Sequence, residues 1–153
     1  MTVAEKIPIL QLSENSTERE EWVQAISTLI AEVTEWSHSL GWRTAVHDTG
    51  IIDESWPEQS QKEYIVPVLD IITEQNYSGL AREVKLVIEP VFFDPARSLG
   101  RVDFYVWPAL YRVRLLHKTG SRKWVVKTDS NVNWPMPWNR DSFVLIAEGL
   151  MEV

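Results

Sequence analysis

The chain contains no cysteine. That excludes structural disulfides, thiolate catalysis and cysteine-ligated zinc or iron–sulfur sites. Histidine is scarce. His38, His47 and His117 are the only three, and no two stand at the four-residue helical spacing of a zinc protease. His47 and Asp48 adjoin on a segment with strand character, so their side chains are expected on opposite faces. All three are expected to be ordinary surface or partly buried histidines. The six glycines are scattered singly, which leaves no phosphate-cradling loop, and no serine-nucleophile motif is present. No run approaches the roughly 18 apolar residues that crossing a bilayer needs. Residues Met1 to Leu12 lack the basic start and long apolar run of a secretory signal. A cytoplasmic location with no membrane association is therefore the default expectation, and no cofactor is expected.

Against these absences stands an ordinary globular composition, with 44% apolar and 24% charged residues in a chain of 153. That length suits one domain and buries roughly 68–70% of the unfolded surface, enough for a core without covalent staples. Eight tryptophans are many for this size, and most are expected inside. The net charge of −7 is unevenly spread. Residues 1–80 carry 14 acidic and 4 basic side chains, whereas residues 95–128 carry eight basic side chains against Asp103 alone. An acidic whole disfavours general nucleic-acid affinity but leaves room for a local basic face.

The pattern predicts an α+β domain over residues 1–153: a long N-terminal helix on a curved antiparallel meander of 5–6 strands, then a C-terminal helix. Residues 1–15 are expected to form a flexible or strand-forming arm. Thr17 and Glu20 fit a capping box. Trp22, Ile26, Leu29, Val33, Trp36 and Leu40 follow on one helical stripe, and Gly41 offers a left-handed stop. The helix Thr17–Leu40 would be roughly 36 Å long. Strands are expected near 42–52, 64–73, 82–93, 102–107, 109–118 and 123–129. Val84, Leu86, Ile88 and Phe92 are assigned to one face. The apolar set changes from even to odd numbers across Trp107-Pro108-Ala109, which suggests one long strand bent by a bulge. Asp94-Pro95 to Gly100 has turn chemistry, Thr119-Gly120-Ser121 closes a hairpin, and Asn139 caps a final helix carrying Phe143, Ile146, Ala147 and Leu150. Trp22, Leu29, Val33 and Trp36 are expected to be buried against Val84, Leu86 and Ile88.

Three constellations carry chemistry. Asp70 precedes Glu83-Val84-Lys85 on the next strand, an acidic residue followed by an acid-x-Lys triplet. This resembles the signature of the restriction-like nuclease superfamily. The resemblance implies Mg²⁺ held by the carboxylates and a lysine stabilising the attacking hydroxide. It covers about a tenth of the chain, and the helix the family places after the second strand is replaced here by more strands. The second constellation is basic. Arg112, Arg114, Lys118, Arg122, Lys123 and Lys127 crowd one hairpin with His117 and Trp124, a composition suited to tracking a phosphate backbone or to solvating a sheet face. The third is Asn133-Trp134-Pro135-Met136-Pro137-Trp138, where two prolines stiffen the presentation of Trp134, Met136 and Trp138. The same loop can equally fold back as a lid on the core.

The leading expectation is a small binding or protein-interaction domain without catalytic activity, with a protein partner or self-association as a homodimer. Its binding residues are Trp134, Met136, Trp138, Arg112, Arg114, Lys123 and Lys127. The alternatives are a metal-dependent nuclease-like enzyme around Asp70, Glu83 and Lys85, and a single-stranded nucleic-acid or polyanion binder through residues 112–127. A ligand pocket between helix and curved sheet is a further alternative.

Overall fold

A computed structural model describes residues 3–53, 62–128 and 136–152, and only the backbone of residues 3–16. The element order is α1 (Val3–Ser39), β1 (Arg43–Ile51), β2 (Tyr64–Tyr77), β3 (Leu80–Asp94), β4 (Leu99–Val106), β5 (Val113–Lys118), β6 (Trp124–Lys127), β7 (Met136–Pro137) and α2 (Arg140–Met151). The strands form one sheet in sequence order, every neighbour antiparallel. From β2 onward every link is shorter than the dozen residues that a parallel crossover needs, so each of those strands turns back beside its predecessor. The α+β class holds, with seven strands among the described residues rather than 5–6; the added one, β7, lies in the proline-rich segment.

α1 is longer than its apolar stripe. It begins at Val3, so Thr17 is an interior residue rather than a cap, and residues 3–15 continue the helix. Extending an existing helix adds one hydrogen bond per residue fixed, whereas capping at Thr17 would require the chain to leave the helix there. The other end follows the sequence, with Gly41 at φ +79° after the last turn. Trp22, Ile26, Leu29, Ile30 and Val33 are buried in one core with Leu86 and Ile88 of β3. Trp36 is only half-buried, against the rings of Trp138 and Phe143 at 5.8 and 5.7 Å. α2 closes the same face. Asn139 accepts from the Ser142 amide, and the Ser142 hydroxyl accepts from the Asn139 amide. Phe143, Ile146, Ala147 and Leu150 are buried as the period predicts.

Two strand assignments change. The parity switch across residues 107–112 is a chain reversal, with a cis Trp107–Pro108 bond in the connection. Phe104 pairs with Val113 and Val102 with Leu115. Directly paired residues of an antiparallel ladder share a face, and this register couples even to odd numbers, so no bulge is needed. The bulge lies instead between Pro90 and Phe92 of β3. One extra residue there sends Phe93 into the core at 1% exposure and leaves Phe92 at 37%. The β2–β3 hairpin also runs past residue 73, turning on Ser78 and Gly79, both at positive φ.

Gly100 is a strand residue, not a turn. It pairs with Phe93 and His117, and the six-membered ring of Trp22 lies so close above it that any Cβ would overlap the indole. The Trp22 ring stacks on Phe93 at 5.9 Å and meets Trp124 at 5.9 Å. Gly100→Ala is expected to destabilise the protein by at least about 2 kcal/mol, the upper part of the usual overpacking range. Chemical denaturation followed by tryptophan fluorescence measures it; a loss below about 0.5 kcal/mol would mean that the ring moves aside freely.

Candidate functional site

The face of the sheet away from the helices carries most of the charged candidates, and their charges are largely paired there. Val68, Val87 and Tyr105 form a small buried cluster on this face. Side chains from four strands roof it. On one side Asp70 Oδ2 lies 3.7 Å from Lys85 Nζ and 3.7 Å from His47 Nδ1. On the other, Asp103 is only 3% exposed; it accepts 2.7 and 3.3 Å hydrogen bonds from Arg101 and lies 3.6 Å from Arg112. Arg112 also lies 3.9 Å from Glu89, with its guanidinium 3.8 Å from the centre of the Tyr105 ring. Burial and then the Glu89 carboxylate push the Tyr105 phenol up, against the opposing pull of Arg112. Arg114 sits on this face between Asp103 of β4 and Lys127 of β6.

The nuclease-like residues share this face without meeting at one point. Lys85 stands beside Asp70, but Asp70 pairs with Val87 while Glu83 pairs with Glu74. Four strand positions, about 13 Å, therefore separate the two carboxylates. Glu83 is bonded instead to Arg43 at 3.1 Å. Among the described residues, no group of three His, Asp or Glu side chains gathers to hold a metal ion.

Four cations at and beyond the tip of the β5–β6 hairpin, Lys118, Arg122, Lys123 and Lys127, have no ion-pair partner among the described residues, as is also true of Lys62, Arg82 and Arg140 elsewhere. Arg122 and Lys123 line a groove of about 400 Å³ between this hairpin and α1. Gly120, at φ +85°, makes the tight turn, and its amide donates to Glu21 Oε1 at 2.6 Å, fastening the tip to the helix. Thr119 is fastened from below, its amide donating to Ser98 O at 2.8 Å. The helix wall is built by Glu21, Gln24, Thr28 and Glu32, spaced so that they flank the core stripe. Trp124 and Trp138 supply the apolar part of the lining.

His117 sits below the hairpin tip, 5% exposed, with its ring 5.0 Å from that of Trp124. Its Nε2 lies 2.8 Å from Ser121 O, and since a carbonyl only accepts, Nε2 carries the proton. Burial lowers its pKa, outweighing the Ser121 carbonyl and Glu21, which raise it. The Trp138 indole N–H is buried and finds no acceptor among the described residues. Farther along α1, Trp22 Nε1 donates to Tyr64 Oη at 3.1 Å and Tyr64 donates to Asp53 Oδ2 at 2.6 Å. Asp53 Oδ1 accepts from the Phe93 amide at 3.1 Å. Burial and the Asp53 carboxylate push the Tyr64 phenol far up, so it stays a donor.

The groove thus joins two of the sequence candidates, Lys123 and Trp138. Arg112 and Arg114 face the other side of the sheet, Lys127 lies outside the groove, Met136 pairs with Val126 at the sheet edge, and Trp134 lies outside the described residues. The sequence reading missed Glu21, Gln24, Thr28 and Glu32. Their helical spacing was visible, but nothing local says which hairpin comes to stand beside them.

The lowered His117 pKa gives a test of this corner. The unfolded chain takes up a proton near the ordinary histidine value of about 6.5, the folded chain only at lower pH. Its contribution to stability is therefore complete above about pH 6.5 and declines as pH falls below it. His117→Gln, which keeps a donor near Ser121, is expected to flatten the loss of stability between about pH 7 and pH 5. Urea midpoints across that range measure it; parallel slopes for the two proteins would refute the assignment. Comparison with protein-family models, with curated proteins and with solved structures finds no match to this chain.

Proposed function

We propose that this chain is a small protein-interaction domain that takes an extended segment of a partner protein in the groove between α1 and the β5–β6 hairpin. One observation carries the reading. The groove presents uncommitted charges of opposite sign on facing walls, Glu32 on the helix and Arg122 with Lys123 on the hairpin, with indoles in its lining. The helix wall from Glu21 to Glu32 spans eleven residues, about 16 Å, the length of roughly five residues of extended chain. Successive side chains of such a segment point to opposite sides, so basic ones meet the helix wall and acidic ones the hairpin wall. An apolar side chain between them lies on the indoles, the residue type favoured at interfaces.

The acidic wall argues against a nucleic-acid strand in the same place, because its phosphates would face Glu32 and Glu21. The pairing of Arg112 with Asp103 and Glu89 likewise leaves less cationic surface on the sheet than the hairpin sequence suggests.

A displayed library of short peptides, selected on the full chain, tests the reading. Selected sequences are expected to alternate basic and acidic residues around one apolar residue, and to bind more weakly as salt rises. Lys123→Glu should exchange the preferred acidic position for a basic one, and Glu32→Lys the reverse, each weakening the original peptide by about two- to five-fold. Selection of no peptide, or of peptides indifferent to both reversals, would sink the proposal. Tight binding of a single-stranded oligonucleotide at low salt would favour the polyanion alternative.

A further inference from the structure

The two edges of the sheet are built differently. β7 ends one edge with two residues, the second of which, Pro137, has no N–H to offer. β1 ends the other with nine residues, Arg43–Ile51, containing neither proline nor lysine. Among the described residues no strand lies on its far side. β1 is also exposed on both faces. Ile51 is its one buried residue, and Val46 is 54% exposed. Alternate N–H and C=O groups along such an edge have no partner in the sheet, and natural edges are ordinarily shortened, charged or interrupted to prevent pairing. β7 is shortened and interrupted by proline, whereas β1 carries Arg43 and Asp48 but is neither short nor interrupted.

From this asymmetry we infer that β1 is a self-pairing interface, joining two copies of this chain through antiparallel β1–β1 pairing into one fourteen-stranded sheet, twice the seven strands of each. The edges themselves select a second copy in this arrangement. Head-to-tail growth would need β1 to pair with β7 of the next copy, and a two-residue strand ending in proline does not support it. Only the isologous pairing remains between copies, and it closes at two. A twofold axis normal to the sheet keeps each face continuous with itself, so directly opposed residues must share a face and the axis passes between one residue and its own twin.

Centring on Val46 sets it against its twin, Ala45 against His47, Thr44 against Asp48 and Arg43 against Thr49, with no like charges opposed. Centring on Ala45 would oppose Arg43 and His47, and centring on His47 would set Val46 against Asp48. The Val46 register is thus the one that covers the exposed apolar side chain. The interface lies across the sheet from the groove, so it stands independently of the peptide reading.

Sedimentation equilibrium of the full chain over a wide concentration range tests the inference. A species of twice 17.7 kDa is expected to grow with concentration. Val46→Lys and Val46→Glu each place like charges on the axis and should weaken self-association at least about ten-fold. An equimolar mixture of the two should associate more tightly than either alone. Leu145→Lys, at a 62% exposed position on α2, should leave association unchanged. Melting temperatures report whether each variant folds. Hydrogen exchange on the unaltered chain gives a readout free of mutation, with protection of β1 amides rising as the dimer forms. A chain that stays monomeric at the highest concentration, a dimer indifferent to both Val46 variants, or β1 protection independent of concentration would overturn it.

Discussion

The contact on which the rest of the molecule depends is the indole of Trp22 pressed against Gly100. It fixes how closely α1 approaches the sheet, since any side chain at Gly100 would hold the helix away. The same ring packs on Phe93, which reaches the core only because β3 is bulged after Pro90, and on Trp124, part of the groove lining. Its N–H starts the chain of hydrogen bonds through Tyr64 and Asp53 to the backbone of β3. Helix, sheet and groove are thus referred to one side chain. Interiors packed at crystal-like density transmit a misfit at such a point, because no free volume beside it takes up the strain.

A second aromatic group organises the other half of α1. Phe143 of α2 stacks on Phe104 at 5.7 Å and meets Trp36, Trp42 and Trp138 at 5.7–6.0 Å. This gives much of the unusual tryptophan content a structural role, and it explains the lid-like part of the proline-rich segment. Trp138 is drawn inward by its neighbours, while Met136 stays at the surface. The Trp138 indole N–H has no acceptor among the described residues, and a donor buried in that way costs about 1–3 kcal/mol, set against the area of a large ring removed from water.

Charge on the two sides of the molecule follows different rules. On the open sheet face, acids from β2, β3 and β4 meet bases from β3, β4 and the β4–β5 connection, and Asp103 is buried among guanidinium groups. A buried carboxylate needs such partners, because an unpaired one is costly to desolvate. Around the groove the charges stand apart on separate elements. Exposed charges gain little from pairing across solvent, so folding alone does not draw these together.

Much of the architecture was legible from the residues because it depends on local pattern. The α1 stripe, the stop at Gly41, the Asn139 cap, the Gly120 hairpin and the antiparallel order all follow from helical period, backbone freedom at glycine and the shortness of the links. The start of α1 did not follow, because Thr17 satisfies a capping rule that the continuing helix leaves unused. The strand errors share one cause. Alternation shows that two segments change face between residues 106 and 113, but a bulge and a chain reversal produce the same change, and only the pairing of Phe104 with Val113 separates them. Gly100 read as a turn because what requires it, the ring of Trp22, lies 78 positions away in the chain.

The candidate site shows the same division. The sequence by itself determined a basic hairpin, a tryptophan-rich segment and an acidic N-terminal half. Only the tertiary structure decided that Arg112 is held by Asp103 and Glu89, that Asp70 and Glu83 stand apart, and that Arg122 and Lys123 face Glu32 across a groove. Residue type sets what a side chain can bond, but which groups come within reach is fixed by register and packing between segments far apart in the chain.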